Sequence, residues 1–166
     1  GRPPISVRVS CLHDHSPALV PALRQHLAER HLSDQVGVLD VGCRGMCSQG
    51  PVVRIEPEGI TYVNVRDTDV SELVESTLVN GKTVERLTYK VPASHRAIRY
   101  LHELPFYDGQ VRNVMHKCGT IDPTSIDDYI ACGGYRSLAR VLTGLSSAQV
   151  IEEVKRSGLR GRGGAG

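Results

Sequence analysis

The sequence predicts an α/β protein: a βαββα unit in the first half, then a smaller, mostly helical segment. Three observations predict it. Ile5 to Ser10 alternates apolar Ile and Val with Ser and Arg, the period of a half-buried strand. Leu19, Leu23 and Leu27 recur every four residues with Val20 on the same face, the period of an amphipathic helix. Beyond about residue 105, capped helical runs replace strand alternation.

Taken in order, the first strand is Ile5 to Ser10. Ser16 as N-cap and Pro17 at the first helical position open a helix that runs to about Arg30. Gln35 to Val41 is a second strand, and a loop with Cys43 and Cys47 follows it. Pro51 to Ile55 is a third strand. Pro57-Glu58-Gly59 supplies a tight turn into a fourth, Ile60 to Val65. Asp67 to Leu78 closes the unit as a helix, with Asp67 as its cap. This order is thioredoxin-like in outline. The division expected is 1–79 for this domain, 80–104 as a linker and 105–166 as the helical part, on the turn signals around Asn80-Gly81. Thr83 to Val91 reads as a short extended stretch and Ser94 to Leu104 as weakly helical. Helices are expected over Thr124 to Ala131, capped by Thr124 or Ser125, then Arg136 to Leu142 and Ser147 to Arg156.

Composition narrows the function. Twenty basic and 18 acidic residues leave a net charge of only +2, and no Lys/Arg-rich run marks a nucleic-acid footprint. Apolar runs are too short to span a bilayer and no signal peptide opens the chain, so a cytoplasmic protein without membrane insertion is expected. The cysteines number five, an odd count without a secretory signal, which favours a metal site or buried thiols over a disulfide framework.

The strongest chemical motif is the loop Gly42-Cys43-Arg44-Gly45-Met46-Cys47-Ser48-Gln49-Gly50-Pro51. Two thiolates four positions apart on a glycine-bearing loop can face one metal ion, and backbone N–H groups can turn toward their sulfurs. Cys11, at the end of the first strand, belongs to the same end of a parallel β-α-β unit, so three cysteines can converge. A [2Fe–2S] centre takes four protein ligands, and His13 and His15 beside Cys11 can complete the set. Three cysteines and a histidine equally suit tetrahedral zinc. The bland alternative makes Cys11 a buried strand-end thiol and both histidines solvated loop residues. Cys118 and Cys132 have no nearby cysteine partner and read as buried structural thiols. The glycine-rich run Gly158 to Gly166 lets backbone approach a phosphate or flat ring, or forms a flexible linker.

The run from Pro105 to Gly166 resembles the opening of the NADH-binding flavoprotein subunit of complex I and related hydrogenase and formate dehydrogenase subunits. Ile121-Asp122-Pro123, Asp127-Asp128-Tyr129, Gly133-Gly134-Tyr135 and Gly161-Arg162-Gly163-Gly164-Ala165-Gly166 carry the resemblance. The first half resembles the thioredoxin-like [2Fe–2S] ferredoxin domain fused ahead of that core, on its GCRGMCSQGP loop. The resemblance implies FMN, NAD(P)H and iron–sulfur clusters in a multi-subunit complex with ferredoxin-like, hydrogenase or dehydrogenase partners. It implies FMN contacts from Gly161, Arg162, Gly163, Gly164, Ala165 and Gly166, in a helical segment leading into a flavoprotein core. It also implies that the nucleotide site and the [4Fe–4S] cysteines lie outside this chain, which alone is not expected to turn over. The family's first loop usually carries two cysteines and here only Cys11 stands, which leaves a histidine ligand, a labile cluster or a lost cluster open. A cluster-free docking module and a zinc site remain the rival readings. A thiol–disulfide enzyme ranks last, because no C-x-x-C stands at a helix start.

Overall fold

The computed structural model describes residues 5–10, 17–161 and 163. The chain forms two units, residues 1–124 and 125–166. The first is built on a four-stranded sheet of order β2-β1-β3-β4, with β1 Ile5–Ser10, β2 Val36–Asp40, β3 Val52–Glu56 and β4 Ile60–Tyr62. β1 runs parallel to β2, joined by the crossover helix α1 (Leu19–Glu29), and antiparallel to β3. β3 turns back into β4 at Gly59, whose φ of +78° is the left-handed geometry that glycine accepts without strain. A continuous helical stretch follows: a 3-10 turn at Asp67–Asp69, α2 at Val70–Leu73 and a π-helical segment at Val74–Val79. The expected βαββα order and the α/β class are present.

Two helix starts differ from expectation. α1 begins at Leu19 with Ala18 at the cap, and Pro17 lies in the preceding turn. Ser16, expected as the cap, lies outside the described residues. At the helical stretch after β4 the Asp69 carboxylate accepts from Arg66 N at 2.8 Å and closes the turn from within, while Asp67, expected as the cap, sits inside it.

Strand alternation sorts the sheet into two faces. On the first, Val7, Val9, Val53, Ile55 and Tyr62 pack with Leu19, Leu23, Leu27, Leu73 and Val74 in one buried cluster. Each such side chain contributes roughly 1.5–3 kcal/mol on burial. Tyr62 also ends in a hydrogen-bond chain: Val84 N donates to its hydroxyl at 3.2 Å, and the hydroxyl lies 2.6 Å from Thr77 Oγ1, which donates to Lys82 O. Tyr62→Phe strands the buried Val84 N–H and is expected to cost about 1–3 kcal/mol in urea unfolding. An unshifted midpoint would show that water replaces the hydroxyl.

The second face carries Arg8, Ser10, Val52, Arg54 and Glu56, and the segment after the helix covers it. That segment contains 3-10 turns at Glu85–Leu87 and Leu101–Glu103 and a two-stranded pair, β5 Tyr89–Lys90 with β6 Ala97–Ile98. Val63 N donates to Leu87 O at 2.8 Å and Thr61 N to Arg99 O at 2.7 Å, which fixes the segment to the β4 edge. Ile98 and Leu104 join Met46, Val52 and Val63 in a second buried cluster. Residues 80–104, expected as a linker, are therefore a packed layer. Ser94 to Leu104, expected as helical, is extended with one short turn, because the backbone of Ala97 and Ile98 is used in pairing with Lys90 and Tyr89.

The second unit has three helices, α3 Ile126–Ala131, α4 Arg136–Gly144 and α5 Ser147–Ser157. Ser125 Oγ caps α3 by accepting from Asp128 N. Ser146 and Gln149 form a capping box on α5, and Gly158 ends that helix at φ +64°. Gly134 lies so close to Tyr129 that a Cβ there would stand 2.2 Å from the ring. No side chain of these helices is buried among the described residues. Cys132, expected as a buried thiol, is exposed and donates to Tyr129 O, and Cys118 is half-buried. Cys132 follows the last residue of a two-turn helix in a unit that offers it no core. Among the described residues no helix is long and apolar enough to cross a membrane.

Candidate metal centre

The cysteine loop hangs from the centre of the sheet. Its leading end is tied to β1 by Val41 N donating to Val9 O at 2.8 Å, and its trailing end by the pairing of Ser10 with Val52. The C-terminal end of β1 thus lies between the two ends of the loop, and Cys11 is the next residue in sequence.

Within the loop the Cys43 and Cys47 sulfurs lie 3.7 Å apart, and both residues are exposed. That is far beyond the S–S bond of about 2.05 Å in a disulfide. It matches the edge of a tetrahedron around one metal ion, since metal–sulfur bonds of about 2.3 Å put two ligand sulfurs about 3.8 Å apart. Gly45 N donates to Cys43 Sγ at 3.2 Å, from a residue at φ +92°. Donation of this kind stabilises thiolate charge. The donor pair therefore fits iron or zinc. Cys11, His13 and His15, expected as the remaining ligands, lie outside the described residues, and among the described residues no group of three or more His, Cys, Asp or Glu gathers for a metal. Of the glycine-motif residues, Gly161 and Gly163 are exposed. Arg162, Gly164, Ala165 and Gly166 lie outside the described residues.

Sequence reasoning missed what stands under the loop. Arg44, between the two cysteines, is 4% exposed. Its guanidinium donates to Gly119 O, and its own carbonyl accepts from Tyr107 Oη at 2.8 Å. Gly119 is at φ +74°, and a Cβ there would stand 2.3 Å from Arg44 Cγ, so only glycine fits. Phe106 lies against Gly45, 3.5 Å from where its Cβ would be. Residues 106–119 thus strap the cysteine loop from outside. Burial, then the neighbouring charge of Arg54, push the Arg44 guanidinium down to about 10, so it stays protonated at neutral pH. Because the folded value lies below the unfolded one, this charge opposes folding at every pH below about 10, and the opposition fades as pH rises past it. A lone arginine between two cysteines reads as solvated from sequence; the glycine at 119 was the one local signal of close packing.

A sheet of this order, with a metal-spaced cysteine pair on the loop from its edge strand β2 to β3, defines a class: an α/β protein with a thiolate site for a metal. Comparison with known sequences gives the family. A 2Fe–2S ferredoxin of Clostridium pasteurianum is 46% identical over 77 residues, covering 46% of this chain and 76% of the ferredoxin. The NADP-reducing hydrogenase subunit HndC of Solidesulfovibrio fructosivorans is 63% identical over 57 residues, 34% of this chain and 11% of that subunit. A subunit of the NADH-quinone oxidoreductase of Escherichia coli is 46% identical over 44 residues, 26% of this chain and 10% of that subunit. The solved thioredoxin-like [2Fe–2S] ferredoxin of Aquifex aeolicus is 29% identical, with a TM-score of 0.42 over 52% of this chain and 90% of that one. No family model matches. The chain belongs to the 2Fe–2S ferredoxin family, and over shorter stretches it is also similar to subunits of a hydrogenase and of an NADH-quinone oxidoreductase. It spans about a tenth of those two relatives. These relatives support an electron-transfer, oxidoreductase-related role and a [2Fe–2S] cluster.

Proposed function

We propose that the chain is the electron-transfer end of an NAD(P)H:acceptor oxidoreductase subunit, passing electrons between FMN and iron–sulfur clusters in a multi-subunit complex. In this reading residues 1–79 carry the cluster on Cys11, Cys43 and Cys47 with His13 or His15 as the fourth ligand. Residues 105–166 begin the FMN and NAD(P)H core, with Gly161 to Gly166 toward the flavin. The single observation that carries the reading is the 3.7 Å sulfur pair on a loop closed at both ends against the strand that leads to Cys11. A [2Fe–2S] group bound there supplies reversible one-electron chemistry. The chain's own part is to hold two sulfurs at ligand spacing, donate Gly45 N–H to one of them, and fix the loop through Tyr107 and Arg44. Further [4Fe–4S] centres and partner subunits belong to the complex as proposed.

The test is metal content with an anaerobic ultraviolet–visible spectrum after cluster reconstitution. About two irons per chain with sulfur-to-iron bands are expected. One zinc and no colour would favour the Cys3His zinc reading, since the same sulfur spacing suits that ion. No metal would leave the cluster-free docking module.

A further inference from the structure

We propose that Arg44 is the built-in counter-charge of the metal–thiolate centre at Cys43 and Cys47 and holds its reduction potential up. This rests on the cluster reading above. Arg8 and Arg54 stand paired on the second face of the sheet, and their charges act on Arg44 in the loop. Glu56 is the carboxylate among them: Arg54 Nε is 3.0 Å and Arg8 Nη1 3.4 Å from the same Glu56 Oε1. Arg44 makes no ion pair among the described residues; its guanidinium ends on a carbonyl. Burial and the charges of Arg54 and Arg8 work against the Arg44 cation, and Glu56, the carboxylate that favours it, is engaged by those same two arginines, so the buried charge is incompletely compensated.

A further anion is close at hand in the chain. Arg44 adjoins Cys43 and stands three residues before Cys47. Metal ligation deprotonates both thiols. The carbonyl that receives the guanidinium belongs to Gly119, whose amide nitrogen would lie 3.9 Å from a Cβ on Gly42, the other neighbour of Cys43. The cation is thus held under the Cys43 end of the loop, in a place largely shielded from water, where a charge acts with little screening. Reduction adds one electron and one negative charge to the centre, with no bond made or broken. A fixed cation favours the reduced form.

The experiment is an anaerobic potentiometric titration with dithionite on the reconstituted full chain, wild type against Arg44→Gln and Arg44→Lys, with iron counted on each. Glutamine keeps a donor toward Gly119 O and loses the charge; lysine keeps the charge. Arg44→Gln is expected to shift the one-electron equilibrium about tenfold toward the oxidised form, a fall of about 59 mV, with Arg44→Lys near wild type. A fully loaded Arg44→Gln at the wild-type potential overturns the proposal, and so do equal falls in both variants, which would follow hydrogen-bond geometry and not charge. If Arg44→Gln does not hold iron, Gly119→Ala replaces it: its methyl must push the guanidinium aside without changing the charge count. A lowered potential there supports the proposal and an unchanged one overturns it. A wild type that binds no iron overturns the cluster reading and this inference together; a loaded wild type with an indifferent Arg44→Gln overturns this one alone.

Discussion

Cys43→Ala and Cys47→Ala are each expected to cut bound iron to about a tenth of wild type or less, with loss of the visible bands; disturbing only the groups around a metal ligand already costs 10–100-fold in affinity. Alanine is the sharper change, because a serine oxygen can itself bind a metal. Each variant leaves one sulfur where the geometry needs two. The fold should not follow the metal. Both cysteines are exposed, and the loop is closed by Val41 N donating to Val9 O, by the pairing of Val52 with Ser10, and by Asn64 N donating to Gln49 O. The metal-free variants should therefore melt within about 0.5 kcal/mol of metal-free wild type, as exposed substitutions usually do. Iron analysis and thermal unfolding on the same samples separate the two effects. A variant that keeps full iron would remove that cysteine from the ligand set, and one that loses both iron and fold would make the loop part of the structural core.

Ending the chain after Val79 is expected to abolish cooperative unfolding, while ending it after residue 124 preserves it. The first cut removes Val84 and Leu87 from one buried cluster and Ile98 and Leu104 from the other. It uncovers Val52 and Val63, which are 1% and 6% exposed in the intact chain. It also takes away the Val84 N–H that satisfies Tyr62. Emptying one buried leucine or isoleucine site costs about 2–5 kcal/mol, so losing several exceeds the roughly 5–15 kcal/mol that holds a domain together. Circular dichroism melts of the two truncated forms decide it. A sharp melt for the shorter one would mean that the second face tolerates water.

That second prediction opposes the division the sequence suggested, and the reason is physical. Strand alternation was readable in Ile5 to Ser10 because six residues show a period, and α1 was readable because Leu19, Leu23 and Leu27 mark one face. β5 and β6 have two residues each, too few to show any period. The apolar residues between Val84 and Leu104 are spaced by what the sheet surface needs, not by a helix or strand repeat, so Asn80-Gly81 looked like the start of a linker. At the site, the sulfur pair was legible from spacing and glycines alone. Arg44 was not, since its burial depends on Gly119, 75 positions away. Cys132 misled in the opposite direction: free cysteines are usually buried, but this one sits in a unit whose helices bury no side chain among the described residues.

The way the loop is tied to β1 bears on how folding and metal binding are coupled. In small zinc domains the ion is what brings the ligands together, so binding and folding are one event. Here the loop is closed at both ends by backbone bonds and strand pairing with β1, made by Val41 and Val52 and not by any ligand side chain. The sheet's closure is thus chemically separate from its ligands, so in this chain folding and metal binding are expected to be two events that can be measured apart.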